Sequence, residues 1–323
     1  MGAARGATGL AFVGGALFAL QTRVNGELGD RSGSPFWAAV VSFGSGLILL
    51  AIVVAVVPRL RAATERAWRD RLPWWTYLGG IGGATLVVVS SIAVPKVGVA
   101  TFTVGVVAGQ AIGGLIVDRA GLGPGGAQPL SVPRTAGAAL AVVAVVIIRL
   151  GHGGGDVSGG VVAAILVAAT IAGAMGSVQQ ALNGRVQRAT GEAVLATTIN
   201  FTAGMILLLV VYAGVAGSGH GPDEHWPPAL WVYAGGVLGI GYIASAILAV
   251  RTLGVLRLGL LLVAGQLAGG VLIDLVSPGP AGRPGVLTYV AVVLTLVAVA
   301  VAGAQSRSRR ATTASATATP RTR

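Results

Sequence analysis

The chain has 323 residues, of which 54% are apolar and only 10% charged, and its mean hydropathy is +0.83. Soluble domains carry about 25% charged residues and disordered chains need low hydrophobicity, so both classes are excluded and a polytopic membrane protein remains. The net charge of +12 fits either a nucleic-acid partner or a membrane topology, and the placement of the charges decides between them.

Crossing the hydrocarbon takes about 20 apolar residues per helix. Ten segments meet this in chain order: 8–28, 36–57, 74–94, 98–117, 134–150, 158–182, 193–216, 229–250, 254–275 and 285–303. Pro58, Pro73, Pro95, Pro133, Pro227, Pro278 and Pro284 stand at the boundaries, where a residue that cannot continue a helix is expected. A membrane barrel would alternate polar and apolar residues over ~10-residue strands. These segments are uniformly apolar and too long. There is no cysteine, hence no disulfide framework, thiolate metal site or thiol nucleophile. His152, His220 and His225 all fall in polar connections.

With ten spans both termini share one side. That side receives 17 basic residues, among them Arg59, Arg61, Arg66, Arg69 and Arg71 of one loop, and the other receives 5 (Arg23, Arg31, Lys96, Arg149, Arg283). The positive-inside rule places both termini in the cytoplasm. No basic, aromatic-interleaved domain exists for nucleic acid. Arg5 followed by an apolar run has the form of a secretory signal. The same run recurs in mid-chain as the sixth segment, so it is read as a membrane helix.

The chain repeats itself. A shift of 158 aligns residues 14–50 with 172–208 without a gap, 12 of 37 positions being identical, including Gln21/Gln179, Asn25/Asn183, Gly26/Gly184 and Phe43/Phe201. A shift of 156 aligns 75–118 with 231–274, 16 of 44 being identical, including Trp75/Trp231, Tyr77/Tyr233, Gly79/Gly235, Gly109/Gly265, Gln110/Gln266 and Asp118/Asp274. Shared Ala and Val follow from composition. Shared Gln, Asn, Trp and Asp in register do not. Five spans per half is an odd number, so the second half enters the membrane inverted. The predicted fold is all-α integral membrane, ten transmembrane helices as two inverted five-helix repeats. Residues 1–151 form the first repeat, 152–304 the second, and 305–323 a disordered, basic cytoplasmic tail suited to anionic lipid. Inverted repeats point to a secondary transporter with binding near the midplane.

The paired motifs Gln21-x-x-x-Asn25 and Gly109-Gln110-x-x-Gly113-Gly114-x-x-x-Asp118, each present again in the second half, resemble the YdcZ-like family of the drug/metabolite transporter superfamily in its ten-span fused form. The resemblance covers residues 8–304 and implies an inner-membrane transporter of small molecules. The superfamily's small multidrug-resistance members use a buried Glu in the first helix. Here that helix holds Gln21 and Asn25, and its one acid, Glu27, lies at the outer end.

Polar groups inside a span each need a reason. Gln110 and Gln266 fall halfway along their helices and are expected either to hydrogen-bond a substrate across the pseudo-symmetry axis or to glue helices together. Gln21 with Asn25, and Gln179 with Asn183, are four apart on one face. They are expected to line the outer and inner halves of one path. Asn25-Gly26 and Asn183-Gly184 also read as helix C-cap signals. Asn200, opposite Ser42 in the repeat, is a further path candidate. Asp118 and Asp274 end their helices against the macrodipole and are gate candidates, Asp118 through Arg119 or another cytoplasmic Arg. The glycines at 79/83, 105/109/113, 235/239 and 265/269 form small-residue faces for close helix packing. Trp74, Trp75, Tyr77, Trp226, Trp231 and Tyr233 read as interfacial anchors. The Gly-rich stretch 151–160 reads as a linker between halves.

No Walker loop, zinc motif, nucleophile elbow or paired acids appear, so neither an enzyme nor a cofactor or metal is expected. The partners expected are a small-molecule substrate and the lipid bilayer, with a homodimer also compatible. The reading is a transporter working by alternating access. The alternative is a non-transporting structural or accessory membrane protein, which leaves the duplicated polar residues unexplained.

Overall fold

In the computed structural model, residues 2–69, 72–123, 126–151, 157–217 and 226–317 are described, and they are almost wholly helical. In chain order the helices are α1 (Gly2–Ser32), α2 (Pro35–Val56), α3 (Pro58–Arg69), α4 (Gly80–Val97), α5 (Val99–Ala120), α6 (Val132–Gly151), α7 (Gly159–Thr190), α8 (Ala193–Val215), α9 (Gly235–Val276) and α10 (Val286–Thr317). Short 3-10 turns over Trp74–Gly79 and Leu230–Tyr233 lead into α4 and α9. Among the described residues nine helices are long and apolar enough to cross a membrane, and a further apolar stretch, Gly235–Ala249, is shorter. The three histidines lie outside the described residues, as do 152–156 of the linker. The last helix continues to Thr317, into the segment expected as a tail, and 318–323 lie outside the described residues.

Local chemistry sets the helix ends. Ser34 accepts the Trp37 N–H at 3.1 Å and caps α2, with Pro35 preset for the first turn. Ser158 caps α7 in the same way through Val161. The helices α1 and α7 stop at Gly33 and Gly191, each at φ 72°, a left-handed conformation that glycine adopts without steric cost. The C-cap reading of Asn25-Gly26 and Asn183-Gly184 is therefore corrected: both helices run on for about two more turns.

The basic stretch after α2, expected as a loop, begins with the helix α3. Its Leu60 and Ala63 are buried, and Arg59 pairs with Glu192 of the second half. The long helix α9 is interrupted at Gly254 (φ 72°, ψ 162°). Its repeat counterpart, Gly98 (φ 80°, ψ 165°), separates α4 from α5. The two parts of α9 thus correspond to α4 and α5.

The halves are interleaved. The helices α4 and α5 of the first half pack on α7 of the second, α9 packs on α1, and α6 pairs with α10. Small residues permit this. A Cβ on Gly109 would run into the Thr170 carbonyl oxygen, and one on its counterpart Gly265 into that of Phe12. The expected close-packing role of these glycines holds, and their partners are in the opposite half. The start of α5 meets the end of α9, Ala100 lying 3.2 Å from where a Gly270 Cβ would be. Since α5 and the second part of α9 are repeat equivalents, this contact means that the halves run in opposite directions.

Candidate functional site

Where the halves meet, α1, α2, α4, α5, α7, α8 and α9 enclose a cavity of about 360 Å³. Of the path candidates, Gln21, Gln110, Gln179, Asn183 and Asn200 line it. Three of them form a chain: Gln179 Nε2 donates to Asn200 Oδ1 at 3.0 Å, and Asn200 Nδ2 donates to Asn183 Oδ1 at 3.1 Å. Pairing amides with one another removes most of the cost of holding them away from water.

Glycines from the first half seat this chain. A Cβ on Gly79 would lie 3.0 Å from Asn183 Oδ1, and one on Gly83 3.0 Å from Gln179 Nε2. The mirror arrangement sets Gly235 against Asn25 and Ser42, and Gly239 against Gln21 Nε2, where a Cβ would lie 2.6 Å away. The Gln-x-x-x-Asn motif and the Gly-Gly-x-x-Gly motif of one half are thus not partners of each other. Each pairs with the other motif from the opposite half. Polar and aromatic pairs repeat the exchange: Arg31 stacks over Trp231 at 5.5 Å and Arg185 over Trp75 at 5.1 Å. Arg185 also donates to the carbonyls of Leu122 (2.6 Å) and Gly121 (2.7 Å), closing the loop after α5.

The two midplane glutamines are not equivalent. Gln110 lines the cavity, and its backbone carbonyl accepts the Ser177 hydroxyl at 2.9 Å. Gln266 is 1% exposed and lies off the cavity wall, its Oε1 without a hydrogen-bond partner among the described residues, whereas Tyr242 lines the cavity. Leu86 stands where the second half has Tyr242. Tyr242 and the aromatic walls were not singled out from the sequence, although Leu86/Tyr242 is a visible break in the repeat. Phe43 and Phe201, repeat equivalents, meet at 5.0 Å, and Phe18 meets Tyr242 at 5.4 Å.

One end of the cavity is open and the other shut. Leu258, Gly259 and Leu262 line it, whereas their counterparts Phe102, Thr103 and Val106 are fully buried. Asn183, Gly184 and exposed Gln187 line it, whereas Asn25 is buried and Gly26 and Gly29 are packed on Val94 and Ser91. Asn25 therefore sits behind the wall, its Oδ1 without a hydrogen-bond partner among the described residues.

The gate candidates also differ. Asp118 pairs with Arg134 at the open end. Asp274 is 4% exposed at the shut end, and its two oxygens accept the N–H groups of Val99 (2.9 Å) and Ala100 (2.8 Å) at the start of α5. Among the described residues no cluster of His, Cys, Asp or Glu is arranged to hold a metal.

A sequence model of the family described as "Putative inner membrane exporter, YdcZ" matches residues 7–147 and again 164–302, one segment in each half. No curated protein matches. A solved structure titled "Crystal structure of protein" is similar in fold, with a TM-score of 0.56 at 20% identity, over 94% of this chain and 99% of its own.

Proposed function

The chain belongs to the YdcZ family of multi-pass inner-membrane transport proteins, and from that premise we propose that it moves a small molecule by alternating access through the cavity between its halves. Counting Gly235–Ala249 as a tenth, shortest span, we take both termini to lie on the basic side, which the positive-inside rule makes cytoplasmic. The open end of the cavity lies on that side, so the conformation is inward-facing. The observation that supports this most is the contrast between the ends: the residues lining the open half have repeat equivalents buried in the shut half. In an inverted repeat the opposite state needs no new contacts, only the exchange of existing ones.

The cavity is lined by carboxamides, a phenol and aromatic rings, and its described lining residues include no Asp, Glu, Lys, Arg or His. Moving an unpaired ion into such a site would cost several kcal/mol. The substrate class that fits is an uncharged amphipathic molecule, its polar groups on Gln110 and Gln179 and its apolar face on Phe18, Phe43 and Phe201.

The test is a panel of uncharged and charged metabolites of similar size, read by thermal shift in detergent and by flux in proteoliposomes. Uncharged members are expected to stabilise the protein and to move, with Gln110→Ala and Gln179→Ala lowering both. A panel with no shift and no flux overturns the transporter reading. Tight binding of ions alone overturns the substrate class.

A further inference from the structure

Asp274 and Asp118 occupy equivalent places in the repeat, and so do the backbone sockets Gly98-Val99-Ala100 and Gly254-Val255-Leu256. Both glycines hold the same conformation, φ 80° and ψ 165° at Gly98, φ 72° and ψ 162° at Gly254. That conformation strongly favours glycine. At the start of α5 it leaves the N–H groups of Val99 and Ala100 free of intrahelical acceptors, where the helix dipole favours an anion.

The first socket is occupied. Both Asp274 oxygens accept its N–H groups, and a Cβ on Gly98 would come 2.8 Å from Asp274 Oδ2. At the second socket a Cβ on Gly254 would meet nothing within 4 Å. The acid that corresponds to it, Asp118, is paired with Arg134 instead.

The neighbouring glycines agree. Gly270 is packed on Ala100 (3.2 Å from its Cβ position), while its counterpart Gly114 has open space around it. A second cavity of about 330 Å³, lined by Gln110, Arg134, Gly259 and Val263 among others, separates α5 from the second part of α9 at that end.

We infer that Asp274 and Asp118 are alternating latches: Asp274 on the Gly98 socket holds the outer end shut in the conformation described here, and Asp118 leaves Arg134 to cap the Gly254 socket when the inner end shuts. The inference rests on the alternating-access reading and names the contacts that carry it out. A charged acceptor receiving two N–H groups in a buried site is among the stronger intramolecular contacts. Its removal shifts the balance between states by about tenfold or more. The two acids are positioning residues: they act on the helices and touch no substrate.

The absence of native cysteine allows single reporters. Ala246 lines the open end, and its repeat counterpart Ser90 is fully buried. Reaction rates of Ser90→Cys and Ala246→Cys with a hydrophilic maleimide are compared in each background, in detergent and without ligand. Asp274→Ala is expected to raise the Ser90→Cys rate about tenfold and to lower that of Ala246→Cys. Asp118→Ala is expected to keep Ala246→Cys fast and Ser90→Cys slow, and to reduce flux.

General loosening raises both rates together, and that outcome overturns the latch. Asp274→Asn keeps the size and one acceptor, so it should fold and give a smaller shift in the same sense as Asp274→Ala. Unchanged rates in both Asp274 variants of a protein that transports overturn the latch and leave the transporter. Opposed shifts in a protein that moves no substrate keep the latch and overturn the transporter.

Discussion

The two ends of the cavity are written with repeat-equivalent residues, some identical and some changed, and are built differently. At the shut end Phe102, Thr103, Val106 and Asn25 are buried and Asp274 is engaged with α5. At the open end Leu258, Gly259, Leu262 and Asn183 line a space, and Asp118 rests on Arg134. A duplicated sequence in an inverted arrangement encodes each end's closed packing twice. The difference shows which copy is satisfied, and at the identical pairs Asn25/Asn183 and Asp274/Asp118 it teaches that one residue type takes two settings.

Substitutions sharpen or break that comparison. The largest effect is expected where both halves pack alike. Gly109→Leu and Gly265→Leu drive a side chain into the Thr170 and Phe12 carbonyls, respectively. Each should cost about 3 kcal/mol or more and abolish a monodisperse peak in size-exclusion chromatography. A loss from one variant alone would break the equivalence of the halves.

Next comes the amide chain. Asn200→Leu strands the Asn183 and Gln179 side chains and should lower stability by roughly 1–3 kcal/mol. Ser42→Ala, at the matching place in the other half, should cost less than about 1 kcal/mol. Thermal melts check the pair, and equal losses would mean that the two networks are equivalent after all.

Gln110→Ala should cut flux about tenfold, or about 1.4 kcal/mol, with normal membrane insertion and melting. Gln266→Ala should instead lower the melting temperature by leaving a void where a fully buried side chain packs. Identical behaviour of the two variants would restore a symmetric midplane site. The smallest effect is expected at Arg59→Ala. Its pair with Glu192 is 73% exposed on the Arg side and should contribute less than about 1 kcal/mol, weakened further by salt.

Much of the fold was legible in the sequence. Apolar runs of about 20 residues have few alternatives to a membrane helix. The reading of α3 failed because a basic, amphipathic segment looks like a loop when only apolar length is counted. The cap reading of Asn25 and Asn183 failed because Asn-Gly accepts a left-handed turn but does not require one. Here those glycines allow the helix to continue against a neighbour: Gly26 is packed on Val94, a Cβ there lying 2.9 Å away. Of the site, the glutamines and asparagines were legible as misplaced polar groups. Their partners were not, because each motif pairs with a motif of the opposite half, about 100 residues away for Gln179 and Asn183 and about 210 for Gln21 and Asn25.

The sequence by itself determined the membrane class, the duplication and the inversion. The first two follow from composition and register, and the inversion from the odd number of spans in each half. Only the tertiary structure decided that motifs exchange between halves, that Gln110 and not Gln266 faces the cavity, and which end is open. The reason is physical: a symmetric sequence gives two nearly equal arrangements, and the choice rests on a few contacts, such as Asp274 with α5, that a one-dimensional pattern assigns equally to both ends.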